Sequence, residues 1–257
     1  MLNLNKEANT LQDNQVVLSK CPACDAYTTH MYYMQDSDTK AKSRWYTCSC
    51  GLVWQDKWRD FEYGQDWRSK NRPESIKFQR AEAYVASLYA PLIEEMIYGR
   101  KMLMVGYTPH QSSYLADRGW VSFTIDKDTS FRMSHRHIVG DFETFEFPDD
   151  AKYNLIWFYQ TLESMKDPFQ ALVKARNLLA EDGILFIGTP DTDFLYTRGP
   201  SGFKHWKRDT NFVLWNRRAL RTYLEKLGFD VVLARKNHDM RCAVSDDLHL
   251  LAQRKFY

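Results

Sequence analysis

The chain has 257 residues, with 35 Lys and Arg side chains against 33 Asp and Glu, which gives a formal net charge of +2. Apolar residues make up 44% of the chain and charged residues 26%, a composition that excludes a wholly disordered protein. So small a net charge identifies no class of partner, and the length favours one large domain or one domain with a small module.

The first 19 residues form a polar tail without the apolar core that an export signal needs. No later apolar run approaches the roughly 18 residues that a membrane helix requires. We therefore expect a cytoplasmic protein with no membrane partner. In a reducing compartment the five cysteines would be thiols or metal ligands rather than disulfides.

Four of the five cysteines form two close pairs, Cys21 with Cys24 and Cys48 with Cys50. Each short turn can aim two sulfurs at one point, and a hairpin between the turns completes the tetrahedral shell of four sulfurs that suits Zn²⁺. The sequence predicts a zinc ribbon over residues 20–56, in which Zn²⁺ is structural. Reduced thiols and a redox pair are the alternatives, and a ribbon can also hold nucleic acid or protein.

Residues 57–98 are predicted to be a connector followed by an amphipathic helix. Trp54, just before the connector, and Trp58 and Trp67, within it, are expected to pack the ribbon against the next domain. After Pro73, apolar residues recur at three- and four-residue spacing, which predicts a helix that could kink at Pro91.

From residue 99 to residue 257, short apolar runs alternate with helical patterns. The expected strands are 102–105, 121–125, 153–159, 183–188 and 230–234, and the expected helices are 112–118, 167–179 and 216–227. Cys242 and the last ten residues are expected to belong to closing strands. This alternation predicts an α/β fold with a largely parallel sheet covered by helices on both faces. Ligands of such sheets bind beyond the carboxyl ends of the strands.

Several motifs in this region occur in the order of a known family. Residues 101–128, KMLMVGYTPHQSSYLADRGWVSFTIDKD, resemble the first strand, loop, helix and second strand of a class I S-adenosylmethionine-dependent methyltransferase. Residues 140–192 are similar to the stretch of that family from the Gly-Asp after the third strand to the Thr-Pro that closes the fifth. Residues 205–232 resemble its His-Trp segment and the following helix. The resemblance implies a Rossmann-like methyltransferase domain over residues 99–257, with S-adenosylmethionine as cofactor.

The resemblance also implies a cofactor site. Asp126, after the second strand, would accept hydrogen bonds from both ribose hydroxyls, and Asp141 and Phe142 would lie at the adenine. The residues that the resemblance places beside the cofactor are Gly106, Tyr107, Asp126, Asp141, Phe142 and Tyr159. The family usually has three glycines in its first loop, whereas this chain, which has only 11 glycines, keeps Gly106 alone. A second hypothesis is therefore a lapsed methyltransferase-like scaffold.

Two side chains are candidates for catalysis. Glu163 lies in Leu-Glu-Ser, where many relatives have Leu-Glu-His, and would orient an acceptor; His205 is the candidate base, with His110 as another. Because methyl transfer is an in-line displacement, the enzyme mainly aligns donor and acceptor. The sequence predicts methylation of an oxygen or nitrogen of a small-molecule or glycan-like acceptor.

Residues 198–221 carry seven basic side chains and one acid, interleaved with four aromatic residues. This basic segment would lie over the acceptor side of the cleft and could attract a nucleic acid or another phosphate-bearing ligand. The alternative is an ordinary lid whose aromatic rings pack inward. A nucleotide-dependent oxidoreductase is disfavoured because the glycine-rich phosphate turn is missing.

Overall fold

The computed structural model describes residues 19–28, 30–35, 42–55, 76–127, 136–199, 203, 205, 210–236 and 247–255. Trp58, Trp67, Cys242 and one of the four aromatic residues of the basic segment, Trp206, lie outside these residues. Within the described part of the chain, no helix is both long and apolar enough to cross a membrane.

The N-terminal described residues form a small antiparallel module. Strands β1 (Ser19–Lys20) and β2 (Tyr27–Thr28) pair across the first cysteine turn. Strands β3 (His30–Gln35), β4 (Lys42–Thr47) and β5 (Val53–Gln55) form an antiparallel sheet whose β4–β5 turn carries the second cysteine pair. Trp54 therefore lies within a strand, where its ring stacks on Tyr46.

A seven-stranded sheet forms the centre of the larger part. Its strands are β6 (Lys101–Val105), β7 (Val121–Asp126), β8 (His137–Val139), β9 (Tyr153–Tyr159), β10 (Leu179–Pro190), β12 (Phe229–Lys236) and β13 (Asp247–Arg254). The strand order is β12-β13-β10-β9-β6-β7-β8. The paired strands from β8 to β10 are parallel, whereas β13 runs antiparallel to both of its neighbours. The predicted α/β fold with a mostly parallel sheet is confirmed.

Helices connect the strands and cover the sheet. They are α1 (Ile76–Met96), α2 (Pro109–Asp117), α3 (Pro168–Leu178), α4 (Asp193–Arg198) and α5 (Arg217–Lys226), with a 3₁₀ turn at Leu162–Ser164. Helix α1 continues through Pro91. Asp167 and Asn216 cap the N-termini of α3 and α5, because their side chains accept hydrogen bonds from the first-turn amides of Gln170 and Ala219.

Two predicted boundaries need correction. Helix α2 begins at Pro109 rather than at residue 112, because a proline is tolerated at the first helical position, where its missing N–H is not needed. Strand β10 begins at Leu179 rather than at residue 183, because Leu179 still pairs with Tyr153 before the register shifts ahead of Ile184.

The cysteine module and the larger part are joined through a shared sheet. Strand β11 (Val213–Leu214), which precedes α5, pairs with β5 of the module. Five buried apolar residues from both parts pack together at this junction: Trp45, Val53, Leu195, Phe203 and Leu214. The module is thereby packed against the segment that follows β10, at the carboxyl edge of the large sheet.

Candidate functional site

The loop after β6 begins with a glycine that the backbone requires. Gly106 has φ of +77°, and a Cβ at this position would overlap the side chain of Thr161. Thr161 Oγ1 in turn donates to the carbonyl of Val105, at 3.1 Å. Gly106 N donates to the carbonyl of Ile125, at 2.9 Å. These contacts hold the ends of β6, β7 and β9 together at one edge of the sheet.

Asp126 faces this loop from the end of β7. The backbone N–H of Tyr107 donates to Asp126 Oδ2, at 2.7 Å. The Tyr107 side chain turns inward, where its ring lies 5.7 Å from that of His137, and burial raises the pKa of its phenol. The loop therefore directs its backbone towards Asp126. Helix α2 starts two residues later, and the positive end of a helix dipole favours an anionic ligand group.

The predicted adenine residues have different surroundings. Asp141 Oδ2 forms an ion pair with Lys127 Nζ, at 2.6 Å, and its Oδ1 accepts a hydrogen bond from Glu143 N. Phe142 is 3% exposed and packs edge-to-face on Phe158. Because the Phe142 ring lies in the core, its contact with an adenine stays a prediction.

Tyr159 ends β9 and is also buried. The Tyr159 ring packs beside His249, and a Cβ on Gly188 would overlap the Tyr159 ring. The next residue, Gln160, has φ of +52°, and its N–H donates to the carbonyl of Gly188, at 2.7 Å. The predicted role of Tyr159 at the cofactor is not tested by these contacts.

Glu163 links three segments at the same edge. Its side chain is buried, and its Oε2 accepts a hydrogen bond from Thr189 Oγ1, at 3.0 Å. Its backbone carbonyl accepts from Phe212 N, at 2.7 Å. Glu163 therefore connects the end of β9 with β10 and with the basic segment, and its proposed action on an acceptor stays a prediction.

His205 lies beside a buried carboxylate that sequence reasoning missed. His205 Nε2 is 3.9 Å from Oδ1 of Asp247, the first residue of β13. The carbonyl of His205 accepts from Asn211 Nδ2, at 2.8 Å, and the carbonyl of Asn211 accepts from Gln55 Nε2, at 3.0 Å. A chain of contacts thus runs from β5 of the cysteine module to the candidate base. The only sequence signal for Asp247 was an acid directly before an apolar strand.

The aromatic residues of the basic segment pack inward where the structure describes them. Phe203, Phe212 and Trp215 are buried, so their rings are covered by the protein rather than open to a nucleobase. Arg217, Arg218 and Arg221 belong to α5, and Arg221 forms an ion pair with Glu225. The inward packing of these three rings agrees with the alternative of an ordinary lid.

The four N-terminal cysteines come together as the zinc-ribbon prediction requires. Their sulfurs all lie within 4.8 Å of one another, with Cys21 and Cys50 at 3.7 Å and Cys24 and Cys48 at 3.5 Å. A tetrahedral Zn²⁺ with Zn–S bonds of about 2.3 Å needs sulfurs about 3.8 Å apart, so the donor set fits. Without a cation, the contact with Cys50 and burial hold the pKa of the Cys21 thiol well above its ordinary value.

The family model described as "Methyltransferase domain" matches residues 93–234, which is more than half of the chain. The chain belongs to this methyltransferase family. The strand order, with one antiparallel strand next to the edge, and the motifs read from the sequence agree with the class I S-adenosylmethionine-dependent fold. A search of curated protein sequences finds no match.

Solved methyltransferase structures share the fold at low sequence identity. The 1,6-didemethyltoxoflavin-N1-methyltransferase of Burkholderia thailandensis is 14% identical, with a TM-score of 0.54 over 88% of this chain and 99% of its own. The magnesium protoporphyrin IX methyltransferase of Synechocystis is 12% identical, with a TM-score of 0.51 over 70% and 84%. A methyltransferase of Archaeoglobus fulgidus is 13% identical, with a TM-score of 0.53 over 75% and 100%. At these identities the similarity establishes the fold alone.

Within this methyltransferase fold, the candidate residues separate into two groups along one edge of the sheet. Gly106, Tyr107 and Asp126 lie at the ends of β6 and β7, whereas Glu163, His205 and Asp247 lie at the ends of β9 and β10 and the start of β13. The first group is on the side where the family binds its cofactor by resemblance. The second group is on the other side of β9 in the strand order.

Proposed function

We propose that this protein is an S-adenosylmethionine-dependent methyltransferase that acts on an oxygen or nitrogen atom of a small-molecule or glycan-like acceptor. The observation that carries the proposal is Asp126, whose carboxylate lies at the end of β7 and accepts a hydrogen bond from the first loop. A carboxylate in this place can take both hydroxyls of a ribose. S-Adenosylmethionine, when bound, supplies an electrophilic methyl group.

The sequence left open whether the missing glycines had abolished the cofactor site. In this structure the Tyr107 side chain is packed into the core, so the loop leaves its backbone facing Asp126. The one glycine that is kept, Gly106, is the position with positive φ in this loop. These two features support a working cofactor site in the loop and do not favour the scaffold alternative.

On the acceptor side, we assign His205 as the base that receives the acceptor proton and Glu163 as a residue of the acceptor wall. The Burkholderia relative is described with 1,6-didemethyltoxoflavin and S-adenosylhomocysteine bound, which supports a small-molecule acceptor for this chain. The buried rings of the basic segment do not support stacking on nucleic acid. The Cys21, Cys24, Cys48 and Cys50 site would hold a structural Zn²⁺.

Calorimetric titration with S-adenosylhomocysteine tests the proposal. We expect a one-to-one complex with a dissociation constant below about 0.1 mM. If no heat of binding is measured at millimolar ligand, the methyltransferase hypothesis is overturned in favour of the scaffold hypothesis. Incubation with tritiated S-adenosylmethionine and panels of hydroxyl-bearing, amine-bearing and glycan acceptors then identifies the acceptor class by transfer of label.

A further inference from the structure

Asp247 is an unusual residue at the acceptor side of the sheet. It opens β13, the antiparallel strand, and pairs in register with Pro190 at the end of β10. Because β13 runs antiparallel to β10, its first residue lies at the edge where β10 ends, which is the ligand-binding edge of the sheet. Its side chain is only 1% exposed. A carboxylate that is so deeply buried is costly unless nearby groups stabilise its charge.

His205 is placed to be such a group. Its Nε2 lies 3.9 Å from Asp247 Oδ1, and its side chain is 14% exposed. The distance is about 1 Å longer than a hydrogen bond, and hydrogen bonds in active sites often shorten when the ligand binds. Asp247 Oδ1 therefore faces the Nε2 side of the imidazole ring.

The backbone around His205 is fixed from two sides. Asn211 Nδ2 holds the His205 carbonyl, and Phe203 packs against the imidazole ring with the two centroids 5.7 Å apart. Phe203 belongs to the apolar junction with Trp45 and Val53 of the cysteine module. The imidazole is therefore held at its place by the same contacts that dock the module.

The other charged groups at this corner have partners of their own. Lys236, at the end of β12, lies 3.4 Å from Asp191 Oδ2 and also forms an ion pair with Asp193. The carboxylate of Glu163 accepts a hydrogen bond from Thr189. Asp247 differs from these carboxylates in its position, 3.9 Å from His205 Nε2.

We propose that Asp247 is a positioning residue that orients the His205 imidazole and stabilises its protonated form during methyl transfer. The inference rests on the proposed function. In the step, the bond from the acceptor oxygen or nitrogen to the methyl carbon forms while the bond from that carbon to the sulfonium sulfur breaks. The acceptor proton moves to the imidazole of His205. The products are the methylated acceptor, S-adenosylhomocysteine and an imidazolium paired with Asp247.

The experiment is an NMR titration of the histidine side chains in wild type and in Asp247→Asn, with His205→Gln to assign the signal. A neighbouring carboxylate raises the pKa of an imidazole by about 1 to 3 units, so the pKa of His205 should fall by at least about one unit in D247N. Asp193→Asn, which removes a different carboxylate from the same corner, should leave the pKa of His205 within about 0.3 units of the wild-type value. An unchanged pKa of His205 in D247N overturns the proposal.

Two further measurements distinguish a failure of the Asp247–His205 pairing from a failure of the proposed function or of folding. Calorimetry with S-adenosylhomocysteine should give the same dissociation constant for D247N and wild type. If the wild-type protein does not bind this ligand, the proposed function is refuted. In that case the NMR titration still decides whether Asp247 and His205 form an ion pair. If D247N does not fold, the carboxyl pKa of Asp247 is followed by carbon NMR in wild type and H205Q. That pKa should rise when the imidazolium is removed, and no rise overturns the pairing.

In the tritium assay, D247N should lower kcat at least tenfold while leaving KM for S-adenosylmethionine within about twofold. The acidic limb of the pH–rate profile should move to lower pH, in step with the pKa of His205. A purely structural role would lower the fraction of active protein without moving that limb, and such a result overturns the assignment of Asp247 as a positioning residue.

Discussion

Gly106 and Thr161 approach so closely that any Cβ on the glycine would overlap the threonine side chain. Thr161 Oγ1 also contacts the carbonyls of Val105 and Tyr159, at 3.1 and 3.0 Å, so this pair joins the ends of β6 and β9. The single glycine kept in the first loop is therefore needed by the protein itself, in addition to any need of a cofactor. Its positive φ sets the direction in which the loop leaves the sheet.

Gly106→Ala should accordingly lower both stability and cofactor affinity. The positive φ costs about 1 to 2 kcal/mol, and the overlap with Thr161 adds about 1 to 3 kcal/mol. Gly119→Ala is the matched control, because Gly119 has φ of +88° but no atom within 4 Å of its would-be Cβ. Urea unfolding should show a loss for G119A of only about 1 to 2 kcal/mol, with unchanged affinity for S-adenosylhomocysteine. Equal losses in the two variants would contradict the role of Thr161.

Asp126→Ala should weaken binding of S-adenosylhomocysteine by at least about tenfold. The variant removes an acceptor for the ribose hydroxyls, and a hydrogen bond to a charged group is worth about 1.5 to 3 kcal/mol. It also leaves Tyr107 N without this carboxylate. Calorimetry measures the effect, with the exposed carboxylate Asp117 on α2 replaced by Asn as the control. An affinity equal to that of wild type would show that the ribose lies elsewhere.

The fold could be read from the sequence because its evidence is local. Apolar runs identified β6, β7, β9 and β12 to within two residues, and the resemblance to the methyltransferase family marked Asp126, at the end of β7, as a candidate. In a parallel sheet the residue at the carboxyl end of a strand lies at the ligand-binding edge, so the position of Asp126 follows from the strand that it ends.

The contacts between distant segments could not be read in this way. The apolar run before Arg254 predicted a closing strand. That Asp247 lies at the same edge as the end of β10 follows only from the antiparallel direction of β13, which the run does not reveal. Strand β11 has two residues, too few for any periodicity, although it attaches the cysteine module. Likewise, residue type alone does not predict that the ring of Phe142 packs edge-to-face on Phe158.

The buried His249 predicts a specific loss of stability in acid. Its side chain is fully covered, its Nδ1 lies 3.2 Å from the Tyr89 hydroxyl, and burial lowers its pKa from 6.5 to about 3. The folded protein therefore keeps a neutral imidazole at a pH where the unfolded chain takes up a proton. The free energy of unfolding should fall as pH decreases from about 6.5 to 3, with a contribution from His249 of about 2 kcal/mol at pH 5.

Urea unfolding at pH 7.5 and pH 5, in wild type and in His249→Gln, measures this contribution. His249→Gln removes the titrating group and should reduce the difference between the two pH values by about 2 kcal/mol, even though the variant is less stable at both. A pH difference that is the same in the two proteins would refute the assignment to His249.

Removal of the metal should affect the whole chain, because the cysteine module is part of the same packed structure. Strand β5 pairs with β11, Thr192 Oγ1 donates to the carbonyl of Gly51, and Gln55 reaches Asn211 beside His205. Cys48→Ser should reduce zinc from about one ion per chain to nearly none by elemental analysis. We expect its loss to cost at least about 3 kcal/mol, which lowers the melting temperature by roughly 6 to 12 °C.

Cys242→Ser, which replaces the one cysteine outside the two pairs, is the control and should keep about one zinc ion per chain. Because the module fixes Asn211 and Phe203, the His205 NMR signal should broaden or shift in C48S while S-adenosylhomocysteine still binds at the β6 and β7 ends. A sharp, unshifted His205 signal in zinc-free protein would show that the module does not support the acceptor side, and its role would then be confined to its own fold.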